Sequence, residues 1–293
     1  MDICEYDVLT MIDYLKQYTE IPVEKVPIND EKVYSLFVSP EAMNITADEI
    51  RNQTGTLSFP ELNDNFAQTV LVKTKPKNFS DLVKVYGLLH GTNVWEDNAE
   101  HLIDNGICSV SEVIANREDV MIDLSNKGLS LKSAFQIMYM SLRGRFEQLL
   151  TDEIRKELFN GCVPEWYINS LCKIRYMFPK AHSVEYMRNI IILGWYKLYF
   201  PSEYYSAYFN TYHSNKSIFY LSKEELKKQI DKTHFLDLNF SPEEINKVQN
   251  MKIVLEVKAR GIKLLLPDSE KSHRTDFLPE NDSIRMPLLE MNI

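Results

Sequence analysis

Apolar residues in this chain recur at helical spacing from its first dozen residues to about residue 260, and almost nowhere at the alternating spacing of strands. Val8, Met11, Ile12 and Leu15 fall at i, i+3, i+4 and i+7, one face of an amphipathic helix. Phe79, Leu82, Val83 and Tyr86 repeat the pattern, with Ser80 as a candidate cap. Leu131, Phe135 and Met138 open a third stripe that fades near Arg143-Gly144-Arg145. A chain patterned in this way buries helix against helix.

The helix boundaries are legible from their punctuation. Thr46-Ala47-Asp48-Glu49 reads as a capping box. Gly106 is expected to stop a helix over Asp97 to Asn105, and Lys127-Gly128 one over Arg117 to Asn126, with another at Ser109 to Ala115. Val163-Pro164-Glu165-Trp166 starts a helix expected to run to about Tyr176, because proline costs no hydrogen bond in a first turn. Pro179 interrupts the pattern. Helices are then expected from His182 to Tyr199, from Pro201, and over Ser222 to Thr233 and Ser241 to Arg260, the last two opened by serine and acidic residues. Strand signals are confined to Gly261–Pro267, Thr275–Leu278 and Ser283–Met286. The expected fold is therefore mostly α, a multi-helix domain over residues 1–215 and a small C-terminal α/β lobe over 216–293, with a soft boundary near Asn215.

Composition narrows the function. The 293 residues are 44% hydrophobic and 26% charged, a globular balance. A net charge of −9 excludes a general basic coat for nucleic acid, although not a local patch. Residues 1–60 hold eleven acids against four bases, whereas residues 161–220 hold six bases against three acids and many aromatics. That second stretch fits a nucleic-acid face, and it fits equally a helical core with snorkelling Lys and Arg, which is the commoner case. Cys4, Cys108, Cys162 and Cys172 form no C-x-x-C pair, so neither a structural zinc site nor a disulfide framework is expected. The longest apolar run, Ile190 to Tyr196, falls far short of the ~20 residues of a membrane span. The first residues, Met1-Asp2-Ile3-Cys4-Glu5, lack the basic flank of a signal peptide, and the cytoplasm is the expected compartment.

Nucleotide-loop, nucleophile-elbow and zinc-helix signatures are missing, and three local clusters remain. His90-Gly91-Thr92 forms a turn that could offer His90 and a backbone N–H to an anion, or simply end a helix beside a buried Trp95. Phe178-Pro179-Lys180-Ala181-His182 places Lys180 and His182 near a helix N-terminus, a good phosphate seat, with Phe178 able to stack on a base; an ordinary helix junction explains it too. Arg117 opens a helix, where its charge opposes the dipole. It either serves an anionic ligand or pairs with Glu118 or Asp119.

Together with Phe37-Val38-Ser39-Pro40-Glu41-Ala42, Lys75-Pro76-Lys77-Asn78-Phe79-Ser80-Asp81-Leu82, Asn105-Gly106-Ile107-Cys108 and Val163-Pro164-Glu165-Trp166-Tyr167-Ile168, these clusters stand in an order and spacing that resembles the C-family replicative DNA polymerases of the PolC type. The likeness runs from about residue 1 to 212 and more faintly beyond. It corresponds to the end of the palm followed by the fingers. The resemblance implies contacts to the incoming dNTP from Arg117, Lys180, His182, Phe178 and His90. It implies contacts to primer–template DNA from Lys75, Lys77 and Arg175. Asp2 resembles the third of the family's three palm aspartates, which hold two Mg²⁺ ions; the other two form an Asp-x-Asp pair that has no counterpart in this sequence. One carboxylate cannot hold two ions. The isolated chain is therefore expected to bind no Mg²⁺ of its own and not to polymerise, unless a separate palm-containing subunit supplies the rest.

Three departures from the family pattern stand out. Ser183-Val184-Glu185-Tyr186 replaces Ala-Ala-Ala-Tyr, Glu5-Tyr6-Asp7 replaces Gly-His-Asp, and the basic glycine loop is reduced to Arg143-Gly144-Arg145. The alternative reading is a non-catalytic helical paralogue that binds DNA or another protein.

Overall fold

A computed structural model describes residues 4–212, 216–234 and 241–288. In chain order the helices are α1 (Cys4–Thr19), α2 (Glu31–Ser35), α3 (Ala47–Ile50), α4 (Asn65–Thr74), α5 (Phe79–His90), α6 (Glu100–Asp104), α7 (Arg117–Asn126), α8 (Leu131–Ser141), α9 (Phe146–Leu149), α10 (Asp152–Asn160), α11 (Glu165–Lys173), α12 (Lys180–Tyr199), α13 (Pro201–Thr211), α14 (Lys223–His234) and α15 (Pro242–Ala259). Three short strands follow: β1 (Lys263–Leu265), β2 (Leu278–Glu280) and β3 (Ser283–Arg285). The fold is mostly helical with one small sheet, as the periodicity implies. No helix among the described residues is long and apolar enough to cross a membrane.

The chain forms two compact units, one from residues 1–68 and 189–293, the other from 69–188. Asn215 itself lies outside the described residues. Segments on both sides of it, α13 and α14–β3, belong to the first unit.

In the first unit the α1 stripe Val8, Met11, Ile12 and Leu15 is buried and packs against α13. Helix α13 is buried on nearly every side, through Tyr204, Tyr205, Ala207, Tyr208 and Phe209, and so is the second half of α15 through Met251, Ile253, Val254, Leu255 and Val257. This wide burial makes both of them core helices. An ion pair joins the last turns of α12 to α15. Lys197 and Glu256, both fully buried, meet at 2.8 Å, and the Lys197 ammonium also donates to the Gly55 carbonyl (2.7 Å). The Phe59 ring lies 5.0 Å from that ammonium, and the Tyr204 and Tyr205 rings 5.9 Å. Burial pulls the Lys197 pKa down to about 8 despite Glu256. The sheet has order β1-β3-β2, with β1 parallel and β2 antiparallel to β3. Asn281 and Asp282 both adopt positive φ between β2 and β3, the conformation that a two-residue hairpin turn demands.

In the second unit α5 is the central helix, buried from Asp81 through Leu88. Its cap is Asn78, whose Oδ1 accepts the Asp81 N–H at 3.0 Å; Ser80 lies inside the first turn and does not cap it. Helices α7 and α8 pack together across a turn in which Gly128 has φ +89°, a left-handed conformation that only glycine adopts freely.

Several expected elements shift. Asp97 has φ 54°, so the helix expected from there begins only at Glu100, after a wide turn over Trp95–Ala99. Ser109 to Ala115 is one turn, closed by Glu112 on Ser109, followed by extended buried chain, because Val113, Ile114 and Ala115 are all needed in the core. Helix α11 stops at Lys173, and Ile174 to Phe178 runs extended. On α8 the buried face is Ala134, Ile137, Met138 and Ser141, leaving Leu131 and Phe135 exposed. Both sets have helical spacing, and the pattern alone could not choose between them. Helices α2, α4, α9 and α10 have no counterpart in the expectations.

Candidate nucleotide-contact site

Three segments of the second unit converge on one corner. The extended chain 174–178 is bridged on one side to Thr92, just past the end of α5, and on the other to Asn116, just before α7. The Thr92 N–H donates to the Tyr176 carbonyl (3.0 Å), and the Arg117 N–H donates to the Phe178 carbonyl (3.1 Å). Asn116 ties the arrangement together. Fully buried, it donates from Nδ2 to the Val83 carbonyl on α5 (3.1 Å) and accepts from Ser183 Oγ on α12 (2.8 Å). Gly87 is required opposite it, since a Cβ there would sit 2.6 Å from Asn116 Oδ1.

At this corner the first turns of α7 and α12 interlock. Lys180 reaches back to Asp119, Nζ to Oδ1 at 2.6 Å, and the Lys180 backbone N–H donates to Glu118 Oε2 at 2.8 Å. Arg117 Nε donates to Glu118 Oε1 at 2.7 Å. Asp119 is buried, and Lys84 from α5 lies 3.5 Å from its other oxygen. Burial pushes the Glu118 carboxyl up, but the Lys180 N–H and the Arg117 guanidinium outweigh it, and the group ends below its usual range. Glu118 thus occupies the anion seat at the α12 N-terminus.

Beside the interlock lies an aromatic cluster. Tyr86 stacks on Tyr186 (5.1 Å) and touches His90 (4.2 Å) and Phe178 (5.6 Å). Phe178 lies 5.2 Å from His90 and 6.0 Å from His182, which is exposed.

The structure therefore brings together Arg117, Phe178, Lys180, His182 and His90, which come from three separated stretches of sequence. Arg175 joins the edge of this corner: its N–H donates to Thr92, and its half-exposed guanidinium lies 3.8 Å from Glu147. Lys75 and Lys77 do not join. Both are exposed and precede α5, whereas His90 ends it, and a twelve-residue helix is roughly 18 Å long. Asp2 lies outside the described residues. Among the described residues no group of three His, Cys, Asp or Glu side chains could hold a metal ion. Sequence reasoning missed Asn116, Tyr86 and Tyr186. The Asn116-x-x-Asp119 spacing was the available signal, since the Asn116 N–H does bond Asp119 Oδ2 at 3.2 Å, a capping arrangement.

Comparison with known proteins accounts for this architecture. The family model for the bacterial DNA polymerase III alpha subunit finger domain matches residues 8–164, more than half of the chain. The chain belongs to that family.

Its relatives extend the likeness over almost the whole sequence. It is 36% identical over 290 residues to a PolC-type DNA polymerase III of Clostridium perfringens, and equally to one of Caldanaerobacter subterraneus, covering 98% of this chain in each case. A PolC-type DNA polymerase III of Staphylococcus epidermidis is 34% identical over 293 residues. The chain spans about one fifth of the length of these curated relatives, 20% in each. The C-terminal segment, beyond the finger-domain match, also falls within the stretch that these relatives match.

Proposed function

We propose that the second unit supplies fingers contacts to a nucleoside triphosphate and to primer–template DNA, within a PolC-like polymerase assembly whose catalytic carboxylates come from elsewhere. The observation that carries this reading is the convergence of Arg117, Phe178 and Lys180 at one corner, fixed by the Asn116 and Phe178 backbone bridges. Two cations and a helix N-terminus meet there, next to a ring able to pack on a base. Arg117 and Lys180 would hold phosphate oxygens, His182 would add a donor, and Phe178 with His90 would border the base. Arg175 would meet the DNA backbone, with Lys75 and Lys77 as more distant contacts. Mg²⁺ would arrive with the nucleotide and would be held by the polymerase's other carboxylates. No step is assigned to it among the residues described.

The test is titration calorimetry of dNTP·Mg²⁺ against the purified chain, with and without a primer–template duplex. Arg117→Ala and Lys180→Ala are each expected to weaken binding about tenfold. Equal affinity in both variants would overturn the assignment.

A second reading has its own support. Arg117 and Lys180 are already paired with Glu118 and Asp119, so the corner is neutralised from within. That favours a family member that keeps the fold as a DNA- or protein-interaction module. Salt-sensitive DNA binding with no effect of dNTP would select it.

A further inference from the structure

The Val163–Ile168 stretch, part of the family resemblance, takes no part in the corner just described. Its Trp166 and Tyr167 instead wall a cleft of about 450 Å³ in the second unit, together with Glu112, Asp123, Lys127 and Pro164. That volume suits a small molecule or one long side chain.

Two of the walls are carboxylates in different states. Glu112 accepts the Ser109 N–H (2.9 Å) and hydroxyl (2.7 Å) on one oxygen, and these bonds hold its carboxyl below the usual range. Asp123 is held above it, chiefly by burial. Its neighbour one turn earlier, Asp119, has Lys180 and Lys84 as partners. Asp123 has no ion pair among the described residues, and the hydrogen bond it receives from the Tyr167 hydroxyl is long, 3.4 Å. A half-desolvated carboxylate with no cation in contact, Lys84 and Lys180 acting on it only from a distance, beside a second one held below its usual range, is stabilised by any positive group that enters. Lys127 is the one cation of the lining, and it is exposed to water. The indole of Trp166, set at 60° to the Tyr167 ring, adds a flat apolar wall.

From this we propose that the cleft binds a guanidinium group, with Asp123 as its carboxylate partner, Trp166 as its stacking face and Glu112 as a second acid. A planar guanidinium both stacks on an indole and donates paired N–H bonds to a carboxylate, which a compact ammonium cannot do. The group could be carried by a free small molecule or by an arginine in a peptide, and the chemistry of capture is the same. The inference does not rest on the nucleotide reading.

The experiment titrates the full chain with agmatine and with N-acetyl-arginine methylamide, by calorimetry and by the indole N–H resonances, with neutral urea as control. Both guanidinium probes are expected to bind and to move the Trp166 resonance, and urea to do neither. Asp123→Asn and Trp166→Leu are each expected to weaken binding at least tenfold, and the exposed Glu112→Gln three- to tenfold. Similar affinities for the two probes would point to a small molecule, and a tenfold preference for the arginine amide to a peptide. No binding by the folded wild type would overturn the proposal, and so would undiminished binding in Glu112→Gln, a test that stands even if Asp123→Asn fails to fold.

Discussion

Replacing Lys197 by methionine should cost the first unit much of its stability, and the structure says how much. The side chain is fully buried, so its ammonium has no water to fall back on. It has Glu256 at 2.8 Å, the Gly55 carbonyl at 2.7 Å and three aromatic rings around it. Methionine keeps the aliphatic stem and removes the charge. Glu256 then keeps the Tyr205 hydroxyl on Oε1 but loses its cation, and its Oε2 already has no hydrogen-bond partner among the described residues. Breaking a buried pair in this way costs about 3–5 kcal/mol, a large share of the roughly 5–15 kcal/mol that holds an ordinary domain. Adding Glu256→Gln removes the orphaned charge. The double variant should recover most of the loss, ending within about 2 kcal/mol of wild type, the residue being the unpaired Gly55 carbonyl. Urea titration followed at the Trp195 indole resonance, a reporter within the first unit, measures both. A single-variant loss under about 1 kcal/mol, or a double variant no better than the single, would refute the reasoning. The pH dependence gives an independent check. Because the folded pKa of Lys197 is lowered to about 8 from 10.5, the unfolded chain binds more protons between those values. This group therefore makes stability rise with pH across that window. The difference in stability between wild type and Lys197→Met should widen from pH 7 to 10.

Three other outcomes follow from the second unit. Gly87→Ala places a Cβ 2.6 Å from Asn116 Oδ1 and 2.9 Å from the Ala115 carbonyl, and overpacking of this kind costs about 1–3 kcal/mol, read as a lowered melting temperature. Asn116→Ala removes the bonds to Val83 and Ser183 from a fully buried position, leaving at least one buried group unpaired; about 2–4 kcal/mol should be lost in urea titration, with weaker dNTP binding as α12 loosens. Glu118→Gln vacates the charge at the α12 N-terminus, so pyrophosphate affinity should rise three- to tenfold in calorimetry if that end is an anion seat, and stay unchanged if it is only a helix junction.

Much of the helical frame was legible because its signals are local. The α1 stripe, the Thr46–Glu49 capping box, Gly128 and the Ser241 cap each act within one or two turns, and each is found where the spacing places it. What the pattern could not decide was set by distant partners. Ser109 to Ala115 has the composition of a helix, but the Val113 carbonyl accepts from the Lys84 ammonium of α5 (2.7 Å) and the chain stays extended beyond one turn. The choice between the two faces of α8 was likewise made by its neighbour α7, and no periodicity within α8 encodes it. In sequence the buried Lys197 is only one more base in an aromatic stretch, because its acid, Glu256, lies 59 residues downstream.

The same distinction explains why the candidate site could be located but not weighed from sequence. Phe178-Pro179-Lys180-Ala181-His182 announces a helix N-terminus with a lysine, and Arg117 announces a cation where a helix dipole opposes one; both statements are local and both hold. The sign of the site's usefulness depends on Glu118 and Asp119, which stand beside Arg117 in sequence but each accept with one oxygen from Lys180, more than sixty residues away. A phosphate approaching this corner competes with two carboxylates already seated at distances of 2.6–2.8 Å. It succeeds only if Glu118 can swing out to solvent at modest cost, and that cost is set by Asn116 and Asp119, which hold α7 and α12 in register whether or not Glu118 is bonded. The corner is thus built so that its two helices stay locked through Asp119 while the Glu118 contact remains separable. On the proposed nucleotide reading, that division of labour lets a phosphate displace Glu118 without unlocking the two helices.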